Sequence, residues 1–520
     1  MVVGNRTPHL RLGTCPRFKL AVNQKMGMVD DLSLLLNCHE FDNQIISTLF
    51  MSDPRAGTDG TKSSAKLNVR KTENACAACE LNHTRIDVRR VFSSNVKFHR
   101  FDQSTVAMVR GRTGQNWLTD MMKAAVIGGG AAGFFAALSI RQHHPQATIA
   151  LFEKSNKVLA KVKVSGGGRC NVTNATFSAS GLSKCYPRGG KSLKKAFDQF
   201  QAEDTIKWFE ARGVQLHTEA DGRMFPTTND SQTIVDCLTR AAADAGITVR
   251  MQTPVRQLSP SASGWTVNGE AFHCVVVATG GSPTAKGFDW LRALGHHIAE
   301  PVPSLFTFNM PDNSITELMG VVVPRAIARV QGTKLSEEGP ILITHWGMSG
   351  PGILKLSAWG ARELATRDYH FTAQINWIGE PNEDNARHTL EQAMPDIRKK
   401  KLGNACPWDL PRKFWAYLLE RAGCDANQPW MDLGKKDRNR LLNTLLNDAH
   451  EVRGKTTFKE EFVTCGGVEL SEVNFNTMES RIAPGLYFAG EVLDVDGVTG
   501  GFNFQAAWST GFVAGQLEGH

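Results

Sequence analysis

Over the first 120 residues the apolar positions keep neither the 3.6-residue period of a helix nor the two-residue period of a strand for a full window. The pattern changes after Met121 and Met122. Lys123 to Ile127 is a short apolar run that predicts a buried parallel strand, AAGFFAALSIRQHH predicts a helix, and Ile149 to Phe152 predicts a second strand. The apolar runs in HCVVVATGG, His273 to Gly281, and in GLYFAGEV near the C-terminus predict two more strands. A Gly500-Gly501 turn and a helix from about Asn503 follow the last of them. Between these strands the period changes. Leu305 to Ile378 is dominated by strands, and Tyr369, Phe371, Ala373, Ile375 and Trp377 alternate onto one face. Glu383 to Ala449 turns helical, with Pro381, Pro407, Pro411 and Pro429 marking breaks, and strand character returns from Thr456 to Thr464. The run Arg398 to Lys401 reads as the solvated end of a helix.

With 520 residues, 41% of them hydrophobic and 21% charged, the chain has material for several domains and a sizeable core. No apolar run approaches the ~18 residues of a membrane span. The longest early one, around Leu32 to Leu36, is too short for a secretory signal. A cytoplasmic protein without a membrane partner is expected. The net charge of +8 is unevenly placed: residues 1 to 120 carry +6, and the remaining 400 carry +2. That near-neutral remainder predicts no nucleic-acid partner. The 11 cysteines form no regular framework and are expected to be reduced. Cys76 and Cys79, with His83 beyond them, could start a zinc site, but no second pair follows at a suitable spacing, so no metal is expected.

The candidate chemistry begins where the first strand ends. Gly128, Gly130 and Gly133 form G-x-G-x-x-G between strand and helix, and Glu153 closes the next strand twenty residues later, which completes a dinucleotide fingerprint. Gly128 permits the tight turn, Gly130 admits a pyrophosphate to the backbone, and Gly133 lets helix and strand pack closely. Ala132 lies on the first helical turn, where free N–H groups and a partial positive charge suit phosphate. Glu153, with Lys154 beside it, is placed for an adenosine ribose and disfavours a 2′-phosphate; NAD and FAD both stay open at this point. The stretch SGGGRCNVTN begins twelve residues further on. Gly166, Gly167 and Gly168 would let the backbone approach an anion or a ring face, with Ser165 and Cys170 on either side. Arg169 is a candidate partner for the pyrophosphate, and Asn171 and Asn174 for the turn or for polar groups of the cofactor. Thr279, Gly280 and Gly281 end the strand that crosses near the same dinucleotide. Gly490 and Glu491, then Gly500, Gly501, Phe502 and Asn503, are placed to close the site beneath a second helix N-terminus.

With SGGGRCN, the ATGG strand end and GEVLDVDGVTGGFN in hand, the chain resembles the BaiN/RdsA-like family of FAD-dependent oxidoreductases, some members of which are labelled aminoacetone oxidase. The resemblance runs from Met122 to the end. It implies an α/β fold: a Rossmann-like FAD-binding domain over 122–303 and 465–520, a β-barrel-like insertion over 304–380 and 450–464, and a small helical insertion over 381–449. It implies FAD as the cofactor, bound by the residues named above. KVLAKVKV before the glycine loop departs from the family, where a glycine followed by basic residues is expected.

Flavin chemistry then predicts hydride transfer through N5 on a small organic substrate, with NAD(P)H as a transient electron donor because a single G-x-G-x-x-G stands in a strand–turn–helix context. A flavin-bound sensing protein with little turnover and an RNA-modifying flavoenzyme are the alternatives. His345, in THWGMSGPG, is the candidate catalytic residue, and Arg223, in DGRMFP, a candidate for an anionic substrate group. Asp494 and Asp496 read as structural. Cys170 and Cys465 form no CxxC, so a disulfide-reductase mechanism lacks support. The sequence leaves the oligomeric state open.

The change of pattern also predicts that the native start is Met121 or Met122, residues 1–120 being a poorly ordered extension or a mis-assigned start. Tryptic digestion of the natural protein is expected to yield no peptide from residues 1 to 110; finding such peptides would refute a late start.

Overall fold

The computed structural model describes residues 19–21, 31–40, 43–52, 66–69, 122–457 and 463–518. Cys76, Cys79 and His83 lie outside them. The chain divides into two units, Met1–Asn116 and Trp117–His520. In the first, Lys19–Ala21, Asp31–Glu40, Asn43–Ser52 and Lys66–Val69 form an antiparallel meander in sequence order. Regular structure was not expected here. The two ten-residue strands carry a weak period-two signal (Leu32, Leu34, Leu36) and a β-branched run (Ile45, Ile46, Thr48) that a longer window averages away.

The second unit is built on a seven-stranded sheet. Its order is Thr248–Arg250, Thr148–Phe152, Lys123–Ile127, Cys274–Val277, Leu486–Phe488, Glu479–Ser480, Val473–Asn474, and the first five strands are parallel. Lys123–Ile127 sits in the middle with its last four residues buried, as a strand covered on both faces must. The helices Ala131–His143 and Phe502–Ala514 pack against each other beside it. A Cβ on Gly511 would lie 2.6 Å from the Ala132 carbonyl oxygen, and one on Gly515 would lie 2.5 Å from that of Ala136. The two backbones therefore touch, and both helices run in the same direction.

Ile298–Ser304 and Val463–Val468 pair antiparallel and lead into and out of a second layer. There the strand order is Asp448–Arg453, His370–Asn376, Val322–Val330, Ser336–Thr344, Gly347–Ser349, Thr307–Asn309, Lys455–Thr456. The first and last of these strands are separated in the chain only by Gly454, at φ 99°. One strand therefore bends at Gly454 and pairs with both edges, which closes the sheet into a barrel. The alternation of Phe371, Ala373, Ile375 and Trp377 faces the core as expected. Strands were expected to dominate Leu305 to Ile378 and do, but Pro351–Trp359 and Ala361–Thr366 within it are helices that were not foreseen. Gly350 at φ 91° turns the chain and Pro351 supplies the first helical residue, after which Ile353, Leu356 and Ser357 bury one face.

Helices Glu383–Ile397, Arg412–Arg421 and Lys435–Asn447 sit on the barrel and share its core, in which Trp377, Trp415 and Trp430 are fully buried. The run Arg398 to Lys401 does not extend a helix. It leaves Ile397 in a turn and is pinned along 428–431 by backbone bonds from Met431 N to Arg398 O (2.9 Å) and from Trp430 N to Lys400 O (3.1 Å).

Asp448 locks the helices to the barrel. Its buried carboxylate accepts from Trp377 Nε1 (2.9 Å) and Arg421 Nε (2.5 Å), and it lies 2.7 Å from His450 Nε2. Burial alone would raise its pKa, but the hydrogen bond and charge of His450, then Arg421 and Trp377, hold it below the usual carboxylate range. A depressed folded pKa contributes stability above the unfolded value of ~3.9, and that contribution is lost as pH falls through the lowered folded value. Asp448→Ala leaves a buried indole N–H and a guanidinium without their acceptor and is expected to cost ~2–4 kcal/mol. Urea denaturation would measure this; a loss under ~0.5 kcal/mol would show that the network carries no stability.

Candidate functional site

The site grows from one crowded turn. Gly128 has φ 115°, and a Cβ there would overlap the Ala278 carbonyl oxygen and reach within 3.0 Å of Thr279 Cα. A Cβ at Gly133 would overlap the carbonyl oxygen of Gly128 itself. Between these two jammed positions, Gly130 has nothing within 4 Å of where its Cβ would stand. Gly130 begins the helix Ala131–His143 and offers no side-chain cap, so the first N–H groups of the helix face that open space. A close approach on the flanks and a vacancy at the middle glycine suit a pyrophosphate. Gly129 escaped the sequence argument. A Cβ there would stand 3.0 Å from Glu153, whose carboxylate accepts from Gly129 N (2.9 Å) and Ser155 N (2.8 Å). Glu153 is thus fixed at its strand end, and Lys154 beside it is exposed.

The glycine loop lies on the same side. One helical turn from Ala160 ends at Ser165, whose ψ of 150° leaves the helix. Gly166, Gly167 and Gly168 then adopt φ of 60°, 68° and 84° in succession, a left-handed run that side chains resist. Gly167 and Gly168 face open space, whereas Gly166 is tight against Asn171 and Phe225. Cys170 is fully buried, and burial pushes its thiol up to about 12 against the pull of the Ser165 hydroxyl, so it offers no thiolate at neutral pH.

Asn171 and Asn174 tie this loop to the chain's last turn. With its amide oriented to satisfy its neighbours, Asn171 accepts from Gly501 N (2.9 Å), and Asn174 Nδ2 donates to Gly500 O (3.0 Å). Thr173 Oγ1 donates to Gln505 (2.6 Å), and Trp508 Nε1 donates to Val172 O (2.9 Å). Gly501, at φ 92°, precedes the uncapped N-terminus of Phe502–Ala514, and the Asn503 side chain grips the Gly497 backbone. At ~1.5 Å per residue, that N-terminus projects ~13 Å past the contact of Gly511 with Ala132. Two helix N-termini are therefore offset along one face, as a dinucleotide with a second polar ring system requires.

Other expected residues have different neighbours. Arg169 donates to Glu219 (2.7 Å) and lies 4.0 Å over the Phe225 ring, so its guanidinium faces a carboxylate of the protein. Arg223 is matched by Glu219 (2.8 Å) and Asp221 (2.7 Å). Thr279 is exposed and Gly280, at φ 74°, faces open space, while Gly281 packs against Thr464 and Glu491. Gly490, at φ 75°, sits on Ala132. Glu491 accepts from Thr464 N (2.7 Å) and pairs with Lys161 (2.8 Å), inside the segment that departs from the family pattern. Asp496 is fully buried, bound by Arg188 Nε (2.6 Å) and Ser304 Oγ (2.6 Å), and Asp494 pairs with Arg362 (2.7 Å). Both aspartates are structural. His345 occupies the turn between Ser336–Thr344 and Gly347–Ser349, exposed, its ring 3.7 Å from that of Trp346. The described bonds of this turn are to the barrel's own residues, such as Met310 N to Trp346 O (2.7 Å). Among the described residues no cluster is suited to a metal ion, and no helix is long and apolar enough to cross a membrane.

A family model described as the HI0933-like protein Rossmann domain matches residues 122–517. The chain is 30% identical over 407 residues to a ribosomal RNA dihydrouridine synthase of Escherichia coli (strain K12), covering 76% of this chain and 97% of that protein. It is 26% identical over 412 residues to a 3-dehydro-bile acid delta(4,6)-reductase of Clostridium scindens, covering 76% and 98%. Among solved structures, a 3-ketosteroid delta1-dehydrogenase from Sterolibacterium denitrificans aligns with a TM-score of 0.40 at 14% identity, covering 75% of this chain and 98% of that one. The chain belongs to the HI0933-like family and is an FAD-dependent oxidoreductase.

The purified protein is expected to carry FAD and not FMN, because the open turn at Gly130 suits a diphosphate that FMN lacks. Gly130→Val fills the one open position of the turn and is expected to abolish flavin binding while leaving the fold intact, since no protein atom lies within 4 Å. Stoichiometric flavin in the purified variant, read from its visible absorbance, would refute this placement.

Proposed function

We propose that this family member reduces a carbon–carbon double bond that a conjugated carbonyl makes electron-poor. The observation that carries this reading is the chemistry shared by two relatives matched over nearly their whole lengths. Dihydrouridine differs from uridine by saturation of a ring double bond conjugated to a carbonyl, and a 3-dehydro delta(4,6) bile acid presents its double bonds conjugated to the 3-oxo group. The reacting part is of small-molecule size in both.

FAD, when bound, supplies hydride through N5. The chain's own residues bind and orient it. The N-terminus of Ala131–His143 would meet the diphosphate and Glu153 the adenosine ribose, Gly167 and Gly168 would leave room for close approach, and the N-terminus of Phe502–Ala514 would offer positive potential to the ring. The high thiol pKa of Cys170 supports chemistry without a cysteine relay. We assign delivery of the completing proton to His345, an exposed imidazole on the barrel hairpin. NAD(P)H is the transient electron donor, binding in the same cleft as the acceptor. A sensing role would leave the reduced protein without turnover.

With NADPH and 2-cyclohexen-1-one as acceptor, the kinetics are expected to be ping-pong, with parallel double-reciprocal lines, because the oxidised donor must leave before the acceptor enters. His345→Gln should keep reduction by NADPH and slow reoxidation by the enone at least tenfold. Intersecting lines would show a separate nicotinamide site, and undiminished reoxidation would remove His345 from the reaction.

A further inference from the structure

Many arginines of the second unit are matched by carboxylates: Arg169, Arg188, Arg223, Arg250, Arg292 and Arg362 each have one within 3 Å. One surface gathers six cations from two segments without such partners. The turn after Glu383–Ile397 presents Arg398, Lys399, Lys400 and Lys401, all exposed. It is pinned by Met431 N to Arg398 O, and four residues beyond Met431 the helix Lys435–Asn447 begins with Lys435 and Lys436, also exposed. Among the described residues none of these six cations is in an ion pair within 4.0 Å; Lys401 reaches only the Asn427 amide (3.2 Å). The nearby exposed carboxylates are Asp396 and Asp432, while Asp437 is taken by Arg440 (3.0 Å).

Cations at the end of Glu383–Ile397 are favoured by its dipole, which explains the first group. The same rule disfavours lysines in the first turn of Lys435–Asn447, where the helix is already positive and Gly434 provides no side-chain cap. Six like charges from two segments, held together by a fixed backbone, repel one another. An anion of matching extent removes that cost. The patch spreads over two segments and exposes Met431 at 53%, so it suits an extended polyanion better than an enclosed small anion.

We propose that this face of the helical segment docks the phosphate backbone of an RNA that carries the base to be reduced. This inference rests on the reading that the enzyme saturates a carbonyl-conjugated double bond, because uracil in RNA contains one. The relative named for ribosomal RNA supports that polymer as the occupant. The +2 total over the last 400 residues argued against nucleic acid, but an overall balance averages this patch with paired charges elsewhere.

The test uses the full-length, FAD-loaded protein and a fluorescein-labelled 30-nucleotide RNA hairpin with uridines in its loop. Binding is followed by anisotropy at several salt concentrations, alongside NADPH-driven reduction of 2-cyclohexen-1-one. Lys399→Gln, Lys400→Gln, Lys435→Gln and Lys436→Gln together are expected to weaken RNA binding ~10–100-fold and to lower the magnitude of the slope of log K against log salt by ~3–4, the release expected for four contacts. Reduction of the free enone should stay unchanged. The control set Lys184→Gln, Lys191→Gln, Lys194→Gln and Lys195→Gln should leave both properties intact. Equal losses from both sets, an unaltered slope in the first, or absence of RNA binding by the wild type would overturn the docking surface while leaving enone reduction standing. Patch-dependent RNA binding without reduction of enone or uridine would instead defeat the double-bond reading and keep the surface.

Discussion

The contact on which the site depends is between two backbones. Phe502–Ala514 lies so close to Ala131–His143 that Gly511 and Gly515 have no room for a side chain against the Ala132 and Ala136 carbonyls, and Gly490 is pressed on Ala132 from a third direction. This contact joins the first and last segments of the 122–518 region and sets the offset between two helix N-termini. The first helix follows its strand through a turn that only glycine can make at Gly128, and the second follows Gly500 and Gly501, at φ 130° and 92°. Because the intervening chain leaves and returns through the paired strands Ile298–Ser304 and Val463–Val468, the barrel and its helices can be large without disturbing that geometry.

Much of this was legible because it is local. A glycine fingerprint between an apolar strand and a helix has a short-range cause, and so does the alternation over Tyr369 to Trp377. What stayed hidden depends on pairings across the chain. The closure of the barrel at Gly454 needs knowledge of which edges meet, and nothing within a few residues of Gly454 states it. The helices Pro351–Trp359 and Ala361–Thr366 were obscured by flanking strands, although Gly-Pro at Gly350 and Pro351 is a start signal in its own right.

Charge was the hardest feature to read. Arg169 has the residue type and position for a diphosphate, yet Glu219, fifty residues away in sequence, takes its guanidinium. Lys161 stands in a segment that breaks the family pattern and still finds Glu491, 330 residues on. In both cases the residue type was informative about interaction and silent about the partner. Arrangement of charge also escapes totals: the near-neutral 400 residues contain buried, fully matched groups such as Asp496 with Arg188, together with the unmatched turn at Arg398 to Lys401.

The loop from Glu491 to Asp496 brings these strands of argument together. Glu491 holds the backbone of Thr464 on one connecting strand, and Asp496 holds the hydroxyl of Ser304 on the other. Arg362, from the second of the barrel's unexpected helices, reaches Asp494 between them. The same loop runs directly into Gly500 and Gly501, which seat the helix N-terminus assigned to the flavin ring. A displacement of the barrel must therefore either break buried bonds to Asp496 or carry the 491–501 loop with it. Since Asp496 is fully buried and Ser304 with it, breaking those bonds leaves a buried carboxylate without its donors, at a cost on the order of a few kcal/mol. Glu491, Asp494 and Asp496 thus tie the barrel and its two connecting strands to the loop that precedes this helix end. The inserted part of the chain, which supplies none of the dinucleotide fingerprint, is therefore bonded to the loop that leads into Gly500 and Gly501.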